Sequence, residues 1–538
     1  MPIDRGLAAW CVGAVSLSLA AGLLVGAAPA VAFDLSVIAV TALAVRRHPL
    51  TALIVVLVLR AAIPNSVLLV FLTLGGGAVA LILNGRLPER RVSAPFLALT
   101  LVALASAPLL PSVDEGLTAG TLTLPFVHAP YAKTPSSELF LWMNLASVLV
   151  VFCLAASAVR THAQLRRLVG AILVSAVAPI AIGAQQLATG QTVARGATTL
   201  KAVRGPFTFP NYFAFYLVVV LIVAIVVLLE TTSLRVRVAL AVLVALTGTA
   251  LFFTYTRAAW VGFGVALVVL ALTRYRRLTV VAVVMTVLAV LLAPGAVHKA
   301  EQRFGDLSTQ SQAAAPNSWT WRVDEWEAIL PYGYKRPLAG QGFGSYSRMT
   351  VRRYGRLDRR YPTVEKPERG VFSPLGFTAH NDYVRMFVEL GVPGLLLWVL
   401  VFVGALASAV RARRVRGLEG PATALIAIVF ALLLISASDN LQGYSVVLIS
   451  VFALCGGVSG VATSARQARR PGSTVPSRQV VGVDLLPGAP SSEPRAPAPD
   501  APLGEPTSTK GFPGRPSAML LRGTAVLRAA IKRRRRRP

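Results

Sequence analysis

The run NYFAFYLVVVLIVAIVVLL at residues 211–229 contains no charged side chain. It is as long as a membrane-spanning helix, because about 20 consecutive apolar residues cross the hydrocarbon core of a bilayer. Similar apolar blocks recur along the 538 residues, of which 55% are hydrophobic and only 14% are charged. A soluble domain carries about 25% charged residues. The sequence therefore predicts an all-α polytopic membrane protein.

The apolar blocks predict about 12–14 transmembrane helices, of which the short second and third are the weakest. They lie at residues 8–28, 31–45, 49–63, 66–84, 94–110, 138–159, 166–187, 211–229, 236–253, 258–273, 278–294, 388–409, 421–437 and 443–463. Short connections rich in arginine, such as Arg46-Arg47 and residues 411–416, all fall on one side. Cytoplasmic loops carry an excess of Lys and Arg. We therefore expect a multi-pass protein of the bacterial cytoplasmic membrane with both termini in the cytoplasm.

Composition divides the chain into three parts. We expect an N-terminal transmembrane bundle at residues 1–200, a transmembrane core at 201–463 and a tail at 464–538. The tail is rich in Pro, Ser, Ala and Arg, which is typical of disorder. Its five consecutive arginines near the end could bind anionic lipids, or the tail could simply be solvated. The net charge of +30 lies at block edges and in this tail, which fits membrane topology better than nucleic-acid binding.

The core contains a large outer loop at residues 295–379, which holds more Lys and Arg than Asp and Glu. Loops of this length cross the membrane largely regardless of charge, so the basic character suits an anionic or sugar-bearing ligand. The alternative is a solvated structural cap. Within the loop, residues 318–330 have the spacing of an amphipathic helix. The glycine-rich residues 335–349 could cradle a phosphate or form a tight structural turn.

Two arginines lie at the predicted outward boundary of the membrane. Arg204 precedes Pro210-Asn211 at the start of a span, and Arg257 lies in a very short turn between two spans. Charged groups near the membrane are costly and are functional candidates. A planar guanidinium matches phosphate oxygens, so the pair could stabilise a diphosphate leaving group without a metal. The alternatives are snorkelling to the headgroups and pairing with a carboxylate such as Asp439.

The outer loop ends at His380-Asn381, just before an apolar run. Asn381 is a good N-cap and predicts a helix over residues 382–390 that ends at Gly391. His380 would then lie at a helix start, on the same face as the two arginines. Neighbouring cations favour a neutral imidazole, which can take a proton from an acceptor hydroxyl. The alternative is a histidine that is hydrogen-bonded to the backbone.

Several short motifs occur in order over about residues 200–410. They are R-G-x-F-x-x-P-N (204–211), T-x-T-R (254–257), R-x-x-x-W (322–326), P-L-x-G-x-G-x-G (337–344) and H-N-x-Y…E-L-G-x-x-G (380–394). Together they resemble the O-antigen ligase and polymerase superfamily. The resemblance implies a GT-C-like fold and a glycosyltransferase that needs no metal or other cofactor. It also implies transfer of a glycan from a polyprenyl-diphosphate carrier to an acceptor hydroxyl at the outer face of the membrane.

By position, the resemblance implies that Arg204 and Arg257 grip the diphosphate and that His380 acts as a base or orients the acceptor. Further residues of these motifs are expected to shape the substrate pocket, namely Arg322, Asn211, Trp326, Tyr383 and Asn381. The acceptor could be a lipid, a protein or a growing glycan, since ligases and polymerases share these motifs. The cysteines lack metal-ligand spacing, so no zinc site is expected.

Two other functional classes stay open. Peptidoglycan polymerases of the shape, elongation, division and sporulation family also use lipid diphosphates, but they rely on an acidic residue in a large outer loop. The H-N motif argues against that class. A transporter or flippase of lipid-linked saccharides would show internal repeats and charges at mid-bilayer, and the sequence shows no clear repeat.

Overall fold

A computed structural model describes residues 40–64, 66–84, 88–106, 138–195, 198–278, 318–346 and 379–469. The predicted span at 8–28, most of the span at 31–45 and nearly all of the span at 278–294 lie outside the described residues. Much of the outer loop and the tail beyond residue 469 also lie outside them. The expected binding of anionic lipids by the tail lies outside them as well.

The described residues are almost entirely helical. The helices are α1 (Val40–Arg47), α2 (Pro49–Ala62), α3 (Val67–Asn84), α4 (Arg90–Ala105), α5 (Glu138–Ala158), α6 (His162–Ser175), α7 (Val177–Thr189), α8 (Pro210–Glu230), α9 (Leu234–Phe253), α10 (Arg257–Thr273), α11 (Ser318–Lys335), α12 (Asp382–Ala412), α13 (Glu419–Ser436) and α14 (Ser445–Ala468). A short antiparallel hairpin, β1 (Val193–Arg195) and β2 (Thr198–Ala202), joins α7 to α8.

Seven of the described helical segments are long and apolar enough to cross a membrane, and an eighth if the bent pair α1 and α2 forms one span. The all-α polytopic membrane fold is thereby confirmed. Only 17% of α9 is buried. Its exposed surface includes a stripe of apolar residues four positions apart, Leu234, Val238, Val242 and Leu246. Water disfavours such a surface, whereas lipid accommodates it.

The last helix forms the centre of the bundle, since 94% of the α14 span is buried. Phe452 of α14 packs edge-on against Phe96 of α4 and Phe152 of α5, with ring centroids 5.1 and 6.4 Å apart. These edge-to-face contacts add to the burial of large apolar side chains. These contacts hold α14 against α4 and α5.

Helix α12 is interrupted at Gly391, whose φ of 69° and ψ of −167° are not helical. The predicted helix over residues 382–390 and its end at Gly391 are therefore confirmed. A β-carbon at Gly391 would lie 2.5 Å from the carbonyl oxygen of Pro337, so the glycine permits close backbone contact. The amide of Val392 donates to that same carbonyl at 2.7 Å.

The glycine-rich loop is a structural turn that closes the first half of α12. The amide of Gln341 donates to the carbonyl of Val388 at 3.0 Å, and the amide of Gly342 donates to the carbonyl of Glu389 at 2.9 Å. These bonds satisfy carbonyls that the break in the helix leaves without partners. Because these two amides donate within the protein, they are not available to bind a phosphate, which weakens the alternative of a phosphate-binding loop.

Helix α11 covers the first half of α12, and the amphipathic helix predicted at residues 318–330 is confirmed. Ile329 is buried in a small cluster with Tyr346, Ala379 and Val388. Glu325 is also fully buried on this helix. Burial raises the pKa of the Glu325 carboxyl well above its usual range, although Tyr346 and Arg322 act in the opposite direction.

Candidate functional site

Arg204 lies in a loop that is tied to the ends of two helices. Its backbone amide donates to Oε1 of Gln186 at 3.0 Å, and the neighbouring amide of Val203 donates to the carbonyl of Phe253 at 3.0 Å. Its guanidinium is exposed, with Nη1 3.4 Å from the carbonyl oxygen of Thr208. The loop thus lies against the end of α9, where the T-x-T-R turn begins.

The T-x-T-R turn positions Arg257 as the first residue of α10. Tyr255 adopts a left-handed backbone conformation with φ of 49°, which is rare for a residue with a side chain. The hydroxyl of Thr256 donates to Oδ1 of Asn211 at 3.3 Å. This bond joins the turn to the first turn of α8, and it places Arg257 and Asn211 at the same end of the bundle.

The H-N motif is fixed from both sides. The side chain of Asn381 accepts hydrogen bonds from the amides of Tyr383 and Val384 at 2.9 and 3.1 Å, so the predicted N-cap is confirmed. The indole of Trp326 donates to the carbonyl of Ala379 at 2.6 Å. Between these anchors His380 has a φ of 46°, again in the left-handed region. Strained conformations of this kind persist where the surrounding contacts determine them, often at functional sites.

Asp439 connects the separate motifs. Its carboxylate is 1% exposed and lies in the connection between α13 and α14. Oδ2 accepts a hydrogen bond from the side-chain amide of Asn211 at 2.6 Å, and Oδ1 accepts one from the hydroxyl of Tyr444. Nδ1 of His380 lies 3.6 Å from Oδ1, which is an ion-pair distance. The buried carboxylate thus brings together residues from α8, the H-N motif and the start of α14.

The surroundings of Asp439 favour its charged form. Burial alone would raise the pKa of this carboxyl, but contact with His380 and Tyr444 and the charge of Arg322 outweigh it, so that the pKa is about 2. The sequence led us to expect cations around the imidazole. The structure also places a carboxylate against its Nδ1, a contact that the sequence did not predict, and this contact orients the ring.

Asp382 holds the Asp439 segment in place. Its buried carboxylate accepts hydrogen bonds from the hydroxyl of Ser436 at 2.9 Å, from the amide of Leu441 at 2.9 Å and from the amide of Gln442 at 3.3 Å. Asp382 lies two residues beyond His380. The backbone segment that carries His380 therefore also holds the segment that carries Asp439.

The other predicted pocket residues make contacts within the protein. The hydroxyl of Tyr383 donates to the carbonyl of Leu433 at 2.8 Å, so this side chain reaches towards α13. Asn381 caps α12, and Trp326 holds the backbone before His380. Arg322 is half-buried and close enough to influence the Asp439 carboxyl. Of the predicted residues, His380 and Asn211 contact Asp439 directly. Arg204 lies in the loop that is hydrogen-bonded to Phe253, and Arg257 follows the turn that is hydrogen-bonded to Asn211.

Sequence reasoning considered Asp439 only as a partner for an arginine. It also overlooked Arg60 in the apolar run VLVLRAAIP, whose buried guanidinium donates to Asn144 and Ser445. Within the described residues, no group of three or more His, Cys, Asp or Glu side chains is arranged to hold a metal ion.

Part of the chain matches a protein-family model. Residues 239–399 match the family model of the O-antigen ligase, a range that includes Arg257, Arg322, Trp326 and His380. No curated protein matches the chain. The match supports an enzyme that transfers a glycan. The match supports the resemblance of the chain to the O-antigen ligase and polymerase superfamily over residues 239–399.

Proposed function

We propose that the protein transfers a glycan from a polyprenyl-diphosphate carrier to an acceptor hydroxyl at the outer face of the cytoplasmic membrane. The observation that carries this proposal is the contact of buried Asp439 with both Asn211 and His380. These residues come from three distant segments and meet at the end of the bundle where Arg204 and Arg257 lie. The family match supports glycan transfer of the ligase or polymerase type.

His380 serves the acceptor in this proposal. With Nδ1 facing Asp439, the other ring nitrogen, Nε2, is the one that can meet a substrate. The acceptor hydroxyl gives its proton to Nε2 while its oxygen forms a bond to the anomeric carbon of the donor sugar. The bond from that carbon to the diphosphate oxygen breaks, and its electron pair leaves with the diphosphate. Asp439 orients the imidazole and stabilises the imidazolium that forms.

Arg204 and Arg257 serve the leaving group. The diphosphate gains negative charge as its bond to the sugar breaks, and donors aimed at developing charge lower the barrier most effectively. A guanidinium can bind two phosphate oxygens at once. The two arginines supply this positive charge in the proposal, which therefore includes no metal ion.

The site is proposed to open outside the cell. The arginine-rich connections lie at the opposite ends of the spans, and the positive-inside rule assigns those ends to the cytoplasm. Both termini are cytoplasmic in this arrangement. A lipid-linked diphosphate held at the headgroup level would then meet Arg204 and Arg257 at the outer boundary.

The test is an analysis of the lipid-linked saccharides that accumulate when the protein is removed from its host. Accumulated single repeat units on the carrier indicate a polymerase, and accumulated full-length chains on the carrier indicate a ligase. Restoring the wild-type protein should clear the accumulated material. If the pool of carrier-linked saccharides is the same with and without the protein, the proposed function is wrong.

A further inference from the structure

Six consecutive residues are exposed where α11 ends. Residues 334–339, with the sequence YKRPLA, follow the buried Gly333 and precede the buried Gly340. Two of them have large hydrophobic side chains, since Leu338 is 75% exposed and Tyr334 is 66% exposed. Removal of such side chains from water is favourable, so a partner that covers them is stabilised. We call residues 334–339 the α11 turn surface.

The α11 turn surface is attached to α12 at the break in that helix. The carbonyl of Pro337 accepts a hydrogen bond from the amide of Val392 at 2.7 Å. The ring of Tyr334 packs against that of Phe387, with centroids 5.5 Å apart. Leu338 directly follows Pro337, so it lies beside the first turn of the second half of α12. The surface is therefore presented in a fixed position relative to α12.

The second half of α12 carries an exposed apolar stripe that leads to this surface. Its members are three, four or seven positions apart, so they lie on one face of the helix. They are Val392, Leu396, Leu400, Val403 and Val410. Helix α12 is long and apolar enough to cross a membrane, and lipid covers such a stripe in a membrane protein. Leu338 continues the stripe beyond the Val392 end of the span.

The length of α12 places the α11 turn surface at the boundary of the hydrocarbon core. At about 1.5 Å per residue, residues 392–412 measure about 30 Å, which is the thickness of that core. The exposed cations Arg414 and Arg416 follow the last turn of the helix and mark one boundary, because arginines are costly inside hydrocarbon. The break at Gly391, with Leu338 beside it, then lies at the opposite boundary.

The charges of this surface complement anionic headgroups. Lys335 and Arg336 are the charged residues of the segment 332–346, and both are exposed. Among the described residues neither lies within ion-pair distance of a carboxylate, and the exposed acid Glu327 lies two helical turns earlier. At a membrane boundary, long basic side chains extend to the phosphates while Tyr and Leu side chains pack on the acyl chains.

We propose that the α11 turn surface docks on the bilayer and binds anionic phospholipids in the leaflet opposite to Arg414. Tyr334 and Leu338 enter the boundary of the acyl chains, and Lys335 and Arg336 bind the headgroup phosphates. The contact fixes the height of α11 above the hydrocarbon core. The inference rests on exposure, charge and the length of α12, and it does not require the proposed glycan transfer.

The first measurement identifies what covers Leu338. The photoreactive residue benzoylphenylalanine replaces Leu338 in the full-length protein, which is reconstituted in bilayers of equal parts phosphatidylglycerol and phosphatidylcholine. After irradiation, mass spectrometry should show a phospholipid adduct, as it should for the same replacement at Leu396 in the apolar stripe. A crosslink to another segment of the chain or to a second copy would overturn the proposal. The absence of an adduct at position 338, when position 396 gives one, would overturn it as well.

The second measurement tests the headgroup preference with the crosslinker kept at position 338. Phosphatidylglycerol adducts should outnumber phosphatidylcholine adducts in the parent. The double variant Lys335→Gln/Arg336→Gln should lower this ratio roughly fivefold or more, because one basic residue near an anionic surface contributes about that factor. The matched control Arg414→Gln/Arg416→Gln removes the same charge at the other end of α12 and should keep the parent ratio. Equal ratios in all three proteins, or an equal fall in both double variants, would overturn the proposal.

Both measurements are independent of catalysis. They use no saccharide donor, and none of the replaced residues belongs to the candidate active site. If the protein transfers no glycan, lipid adducts at position 338 are still expected. If the adducts are absent, the proposed lipid contact is wrong while the proposed glycan transfer is unaffected.

Discussion

Nδ1 of His380 lies 3.6 Å from Oδ1 of Asp439, a carboxylate that is almost completely buried. The two residues belong to different connections of the bundle, and Asp382 links these connections by its hydrogen bonds to Ser436, Leu441 and Gln442. Trp326 and Asn381 fix the backbone on either side of His380. Asn211 and Tyr444 hold the carboxylate. The geometry of the pair is therefore set before any substrate arrives, as efficient proton transfer requires.

Replacing Asp439 with asparagine should lower glycan transfer by roughly 100-fold or more, because the imidazole loses the group that orients it and stabilises its charge. The side chain keeps its size, so we expect normal amounts of protein in the membrane. Transfer is measured with a polyprenyl-diphosphate-linked saccharide in isolated membranes. Glu327→Gln, an exposed acid on α11, is the control and should be fully active. Wild-type rates in Asp439→Asn would remove the carboxylate from the mechanism.

Replacing His380 with alanine should slow transfer more than it weakens donor binding. The proposed base contributes roughly 100-fold to 10,000-fold to the chemical step, whereas the arginines hold the donor. Single-turnover rates and donor affinity are measured separately on the purified protein. An equal loss of donor affinity and rate would show that His380 binds the donor and does not serve the acceptor.

Replacing either Arg204 or Arg257 with alanine should reduce transfer by roughly 100-fold or more, because each variant lacks one charged donor to the leaving diphosphate. Lysine at either position should restore only part of the rate, because it keeps the charge without the planar fork. The readout is again transfer in membranes, with the amount of inserted protein measured alongside. Lys201→Ala is the matched control, as an exposed cation in the adjoining strand β2. If either arginine variant transfers glycan as fast as this control, that arginine does not contact the diphosphate.

Replacing Gly391 with alanine should destabilise the protein by roughly 1–3 kcal/mol and lower the rate of transfer. The residue has a positive φ, and the added carbon would lie 2.5 Å from the carbonyl oxygen of Pro337. Thermal unfolding in detergent measures the change. Gly264→Ala, in open space on α10, should leave stability unchanged or raise it. Similar melting temperatures for the two variants would show that the break in α12 tolerates a side chain.

Acid should destabilise the wild-type protein partly through Asp439. The pKa of this carboxyl is about 2 in the folded protein, below its ordinary value of 3.8. A group whose pKa is lowered by folding stabilises the protein above its unfolded pKa, and it loses that effect as the pH falls towards the folded pKa. Near neutral pH the Asp439 carboxylate therefore adds about 2 kcal/mol to the free energy of unfolding. Unfolding measured from pH 5 to pH 2.5 should show a smaller loss of stability in Asp439→Asn than in the wild type; parallel curves would contradict this assignment.

Local features of the fold could be predicted from the sequence. The cap at Asn381 depends only on the amides two and three positions further along the chain. The helix break at Gly391 depends on the positive φ that glycine itself permits. The glycine-rich loop was ambiguous, because its amides bond to Val388 and Glu389 in a distant segment. Nothing local distinguishes a phosphate cradle from such a turn.

The centre of the candidate site depends on long-range contacts and was predicted only in part. The motifs indicated His380 and Asn211, but the residue between them, Asp439, comes from a connection that no motif marked. Arg60 was overlooked because it lies near the end of an apolar run, where snorkelling of the side chain to the headgroups is the ordinary explanation. Its complete burial could be recognised only once α2, α5 and α14 were placed together.

The interruption of α12 at Gly391 is a suitable position at which to join segments from two proteins. The segment before it, with His380, packs on α11 and the glycine-rich turn, whereas the segment after it belongs to the apolar bundle. Chimeras built to exchange acceptor preference between similar proteins should be joined at Gly391. His380 then stays with α11, whose Trp326 holds the backbone before the histidine. The recipient protein would have to provide partners for three side chains of this segment, because His380, Asp382 and Tyr383 contact Asp439, Ser436 and Leu433 of the bundle.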